Sequence, residues 1–125
     1  MLTQGNVSTT LPVVDLDRAK SWYQEKLGMT PAKEIEGGAI YEVAGSSILL
    51  FPTSIADRGG HTQVAFEVPD LRAEMAELRS RGVVFEEYDL PDYKTVDGVI
   101  EWPGGASAYC KDSEGNLICV NEFRG

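Results

Sequence analysis

The sequence is poor in the residues that usually announce chemistry. It has one histidine, His61, and two cysteines, Cys110 and Cys119. Metal ligands come in clusters, so a lone histidine is a weak start for a metal centre. Two cysteines are too few for a disulfide scaffold, and a reducing compartment would keep them as thiols. They read best as small packed hydrophobes on neighbouring strands, opposite or one residue out of register, flanking a turn at 112–116. No apolar run approaches the ~20 residues that span a bilayer. The opening MLTQGNVSTT has no basic stretch followed by an apolar one, so no signal peptide and a cytoplasmic location are expected. Without a secretory signal, the sequon Asn6-Val7-Ser8 carries no weight. No glycine-rich phosphate loop follows a strand and opens a helix. Basic residues are scarce as well: Lys and Arg number 11 against 20 Asp and Glu, a net charge of −9. No basic stripe is available for a phosphate backbone, which excludes nucleic acid as a partner. The acidity suits solubility and leaves room for a cationic ligand.

What is present is ordinary globular patterning. At 125 residues with 42% hydrophobic content, the chain is expected to form one domain over 1–125. Residues 7–14 alternate as a strand, with Val7, Thr9, Leu11 and Val13 on one side and Ser8, Thr10, Pro12 and Val14 on the other. Asp15 is placed to cap a helix whose apolar stripe is Ala19, Trp22, Tyr23 and Leu27, and Gly28 stands where the helix should end. Short strand-like runs follow at 39–43 and 48–51, and 52–60 reads as a linker. The pattern then restarts. Val64, Phe66 and Val68 alternate, Asp70 caps, Leu71, Met75 and Leu78 form the stripe, and Gly82 ends it. Strands are expected near 83–88, 106–111 and 117–123, with a loop over 89–105. VVDLDRAKSWYQEKLG (13–28) thus corresponds to VPDLRAEMAELRSRG (68–82). Each half, about 6–52 and 61–123, reads as strand, helix and three strands, an internal repeat that predicts an α+β fold with a concave face between the units.

Two βαβββ units, with V-x-D-L before the first helix, WYQEKLG closing it and D-x-x-G-N-L-I before the last strand, resemble the vicinal oxygen chelate superfamily. That group contains the glyoxalases, bleomycin-resistance proteins and extradiol dioxygenases. The resemblance implies a cupped, largely antiparallel mixed sheet. In the family's enzymes it also implies a divalent metal held by His or Gln on the first strand, Glu at the end of the fourth, His on the fifth and Glu on the eighth. Carried over by motif, those positions are Ser8, Phe51, Gln63 and Cys119. Serine and glutamine are weak ligands, phenylalanine is none, and one thiolate cannot hold zinc alone. His61 shares the face of Gln63 by alternation but would stand roughly 20 Å from Glu67 along one strand. It reads as an exposed residue before the strand.

Without a metal or cofactor, the cup would be lined by Ser8, Thr10, Phe51, Gln63, Ala65, Cys119 and, at its margin, Asn121. The loop 89–105 would add Tyr93 and Trp102, exposed aromatics suited to covering a planar ligand. Trp102 reads equally as a core or dimer contact. Glu86, Glu87, Asp89, Asp92 and Asp97 put five acids in or near that loop, either a solvated edge or an attraction for cations. Two functions follow. One is a metal-free protein of the bleomycin-resistance branch that binds or sequesters a small aromatic or cationic molecule; the resemblance implies a homodimer. The other is a metal-dependent lyase, isomerase or dioxygenase with an atypical site, or a metal-free acid–base catalyst using Glu67 or Glu101. The ligand count favours the first.

Overall fold

The computed structural model describes residues 1–4, 8–53, 61–91 and 93–124. After a single 3-10 turn at Leu2–Gln4, the first module runs β1 (Ser8–Val13), α1 (Leu16–Leu27), β2 (Lys33–Ile35), β3 (Gly38–Val43) and β4 (Ser46–Pro52). The second runs β5 (Thr62–Glu67), α2 (Leu71–Ser80), a small hairpin of β6 (Asp89–Leu90) and β7 (Tyr93–Lys94), then β8 (Ile100–Trp102), β9 (Gly105–Lys111) and β10 (Leu117–Phe123). The sheets have the same topology, β1-β4-β3-β2 and β5-β10-β9-β8. In each, the first strand runs parallel to the last and the other pairs are antiparallel.

Local chemistry repeats with the topology. Asp15 and Asp70 hold extended backbone and accept from the amides of Arg18 and Ala73, satisfying donors that a helix start leaves free. Gly28 closes α1 at φ 68°, and α2 ends at Arg81 just before Gly82. The hairpins that open β3 and β9 each carry a Gly-Gly pair. A Cβ at Gly38 would lie 2.0 Å from the Leu50 carbonyl oxygen, and one at Gly105 would lie 2.0 Å from that of Glu122. Any side chain at either point would drive the two backbones apart.

Alternation decides which face of each sheet meets its helix. Leu11 and Val13 of β1, Ala39 and Tyr41 of β3, and Ile48 and Leu50 of β4 are buried with Ala19 and Tyr23 of α1. Ala106, Ala108 and Cys110 of β9 and Ile118 and Val120 of β10 are buried with Leu71, Met75 and Leu78 of α2. The opposite faces carry Ser8, Thr10 and Phe51 in the first module, and Ala65, Ser107, Tyr109, Cys119 and Asn121 in the second.

The structure corrects three expectations. The strand expected at 83–88 is reduced to one bridge, Phe85 to Cys110; Val83 and Phe85 are buried, and this segment meets β9 through that bridge and one amide bond without forming a ladder. Its place as the outer strand is taken by β8, inside the expected loop, so Trp102 sits on a strand. In the first module, the outer strand β2 has no apolar alternation to reveal it; all three of its residues are exposed. The two cysteines are one residue out of register, Cys110 facing Ile118 and Cys119 facing Tyr109, and so point to opposite faces as free thiols. The linker residues 54–60, Asp92 and most of the sequon lie outside the described residues. No helix among the described residues is long and apolar enough to cross a membrane.

Candidate functional site

The helix-free face of the second sheet concentrates the unusual side chains. Trp102 shares this face because it pairs with Gly105, two residues before Ser107. Its indole Nε1 donates to Ser107 Oγ at 2.9 Å, and Ser107 Oγ donates to Asn121 Oδ1 at 2.6 Å. Cys119 Sγ donates to the same Asn121 oxygen at 3.0 Å. Asn121 therefore collects a neutral polar row that crosses three strands. Beside it, Tyr109 pairs with Cys119 and packs against the hairpin: ring centroids are 5.9 Å from Tyr88, 6.1 Å from Tyr93, and 5.7 Å between Tyr88 and Tyr93. Trp102 meets Phe123 edge-on at 5.5 Å.

This environment keeps its groups neutral. Burial raises the pKa of the Cys119 thiol despite nearby hydrogen-bonding groups, and burial likewise raises that of the Tyr109 phenol. A protonated thiol is neither a nucleophile nor a metal ligand. The acidic loop is partly structural: Glu87 accepts from Thr95 Oγ1 at 2.6 Å and from the Gly98 amide at 2.7 Å, and those bonds hold its pKa below the usual value.

The four positions implied by resemblance do not converge. Ser8 bonds the Ser47 hydroxyl opposite it, whereas Phe51 is level with Pro12, four residues along β4 and about 13 Å away at strand rise. Thr10 pairs with Leu49. Gln63 is the extra residue of a β-bulge, between the pairs Thr62–Leu117 and Val64–Ile118. That bulge breaks the alternation placing His61 on the face of Gln63. His61 is exposed before β5, its Nδ1 3.2 Å from the Thr62 carbonyl oxygen. Ala65 and Cys119 do pair directly. Glu101, a candidate base, is bridged by Arg72 and Arg124, which lower its pKa and occupy both oxygens. Among the described residues, no three His, Cys, Asp or Glu side chains come together. The donor set does not fit a divalent metal.

Sequence reasoning reached Tyr93, Trp102, Cys119 and Asn121 but passed over Tyr88, Ser107 and Tyr109. Pairing β9 to β10 about the 112–116 turn would have placed Ser107 and Tyr109 beside Asn121 and Cys119. Tyr88 had no such signal, because its segment is not a ladder strand.

Two βαβββ modules of one topology, with a site borne on the helix-free face, define the architecture of a recognised class. The chain belongs to the Glyoxalase/Bleomycin resistance protein/Dioxygenase superfamily, whose family model matches residues 6–120. Among solved structures it is similar to TnmS3, an antibiotic binding protein from Streptomyces sp. CB03234, with 24% identity and a TM-score of 0.70 over 96% of each chain. A glyoxalase/bleomycin resistance protein from the same organism is 25% identical, with a TM-score of 0.65 over 94% of this chain and 99% of that one. Lactoylglutathione lyase from Agrobacterium tumefaciens is 22% identical, with a TM-score of 0.67 over 96% and 98%. No match was found among curated proteins.

Proposed function

We propose that this protein binds a small aromatic or cationic molecule on the helix-free face of its second module, without a metal and without making or breaking bonds. One observation carries the reading: Tyr88, Tyr93, Tyr109 and Trp102 border a neutral row of Ser107, Asn121 and Cys119. Aromatic faces attract planar rings and cations, and the neutral row offers orienting hydrogen bonds without catalytic groups. The antibiotic-binding relative supports the same reading. The role of Ser8, Thr10, Phe51, Gln63 and Ala65 is to line the remainder of the cup. Because Phe123 at the edge of this face is exposed, we place a second copy of the chain over it in solution.

The test is a titration with aromatic monocations, read by tryptophan fluorescence in a Trp22→Phe background so that Trp102 alone reports. Saturable quenching that is lost in Tyr109→Ala supports the site. Saturation without any change in emission removes Trp102 from it. Near-stoichiometric zinc, nickel, manganese or iron in protein purified without chelators would overturn the metal-free reading.

A further inference from the structure

A second concavity lies on the opposite, helix-bearing side, where the two modules meet. It is an apolar groove of about 270 Å³. The first module contributes Leu27 and Met29 beyond α1 and Val43 at the end of β3; the second contributes Val68, Leu78 and Ile118. Glu74 also lines it, and Glu67 borders it at the end of β5 with its side chain on the helix-free face beside its partner Asn121. The Glu74 carboxylate makes no hydrogen bond or ion pair within the described residues, and no lysine or arginine lines the groove.

The internal repeat explains why there is a space here. The caps Asp15 and Asp70 align Tyr23 with Leu78. The pairs Thr10–Leu49–Ile40 and Ala65–Cys119–Tyr109 align Ile40 with Tyr109, and therefore Val43 with Asp112. At the Asp112 junction, Tyr23 Oη donates to Asp112 Oδ2 at 2.7 Å, and the turn after β9 folds against α1. At the groove, the corresponding Val43 and Leu78 offer no such bond, and the turn after β3 has only Ala44 and Gly45. What fills one junction is missing from the other.

We infer that this groove is a binding site for a small amphiphilic cation, an alkyl- or arylammonium whose apolar body lies along Val43 and Leu78 and whose charge meets Glu74. Its volume is just below the roughly 300–1,000 Å³ of drug-sized pockets, which limits the ligand to one ring and a short chain. Carboxylates beside low-dielectric walls attract a cation more strongly than they would in water and repel an anion. The site is separate from the helix-free face and does not depend on it.

The probes are 3-phenylpropylammonium and its neutral counterpart 3-phenylpropanol, titrated into methyl-labelled full-length protein and followed by NMR. The ammonium should shift the methyl signals of Val43, Leu78 and Ile118 and bind more tightly than the alcohol. Glu74→Gln, at a residue with no partner to lose, should weaken the ammonium by about threefold to tenfold and leave the alcohol unchanged. Val43→Phe should fill the groove and abolish both. A shift confined to the Ala65 methyl on the helix-free face, or equal affinity for the two probes, would overturn the inference. So would groove methyls that move on protein dilution without probe, which would make a second copy the occupant.

Discussion

The two junctions between the modules are built from corresponding positions and solved in opposite ways. At one, the five-residue turn Asp112–Asn116 is buried against the start of α1. Asp112 accepts from Tyr23 Oη, Asn116 Nδ2 and the amides of Glu114 and Asn116. Glu114, with a side chain fully shielded from solvent, accepts from the amides of Val14 and Asp15 and from the Arg18 guanidinium. Asn116 Nδ2 also reaches the Pro12 carbonyl. At the other junction, Val43, Leu78, Leu27 and Met29 leave an apolar groove. A polar network can be buried only when nearly every member is satisfied, and its geometry then admits little else. An apolar junction tolerates a gap because no donor is left unpaired. Within one repeated fold, the first solution fixes the modules together and the second leaves room for a ligand.

The sharpest way to break this contrast is at its matched residues. Asp112→Ala should cost about 3–5 kcal/mol, because it leaves several buried donors without an acceptor. Val43→Ala, at the corresponding position, should cost only about 1 kcal/mol, since it enlarges an existing space beside a half-buried side chain. Urea denaturation of both variants checks the pair. Equal losses would mean that the polar junction is not the one that fixes the modules.

A smaller effect separates the junctions by pH. The Arg18 guanidinium, with the amides of Asp15 and Val14 and the Ser113 hydroxyl, holds the Glu114 carboxyl down at about 2 against the opposing effect of burial. A carboxylate with a depressed folded-state pKa contributes its stability above the unfolded value. That contribution is lost as pH falls from about 4.5 towards about 2. The loss should amount to no more than about 3 kcal/mol. Glu114→Gln should be less stable than the parent at pH 6 and approach it near pH 2.5. A constant difference across that range would show that Glu114 is not the group titrating.

The local parts of the filled junction were legible in the sequence, and the groove was not. The D-S-E-G-N turn, the Asp15 and Asp70 caps and the repeated V-x-D-L are local signals, set by nearby backbone donors that need acceptors. The groove arises from what two distant segments fail to fill, and no window of sequence contains that. The candidate site lies between these extremes. Cys119 and Trp102 were reachable by motif and loop reasoning, but whether Ser8 and Phe51 come together depends on strand pairing, which is non-local. Counting along β4 cannot show that Ser47 is the residue opposite Ser8. The bulge at Gln63 is likewise invisible to alternation, and it separates His61 from the face to which counting had assigned it.

The finest comparison is between two tyrosines whose rings lie 5.8 Å apart in the first module's core, Tyr23 and Tyr41. Both are buried, but only Tyr23 reaches the polar junction; Tyr41 Oη has no partner among the described residues. Burial pushes the pKa of Tyr41 up to about 12, so its hydroxyl stays protonated. An unpaired buried hydroxyl contributes desolvation cost and no bond, so Tyr41→Phe should leave stability within about 0.5 kcal/mol of the parent or raise it slightly. Tyr23→Phe removes the same atom and should cost about 1–2 kcal/mol, because Asp112 loses a donor. Thermal denaturation of the two single variants, compared with the double, tests whether the effects add. Any departure from additivity measures the coupling between the two rings in contact, apart from their hydroxyls. A Tyr41→Phe loss as large as that of Tyr23→Phe would mean that Tyr41 Oη has an acceptor in solution, and that the polar network extends one residue further into the first module.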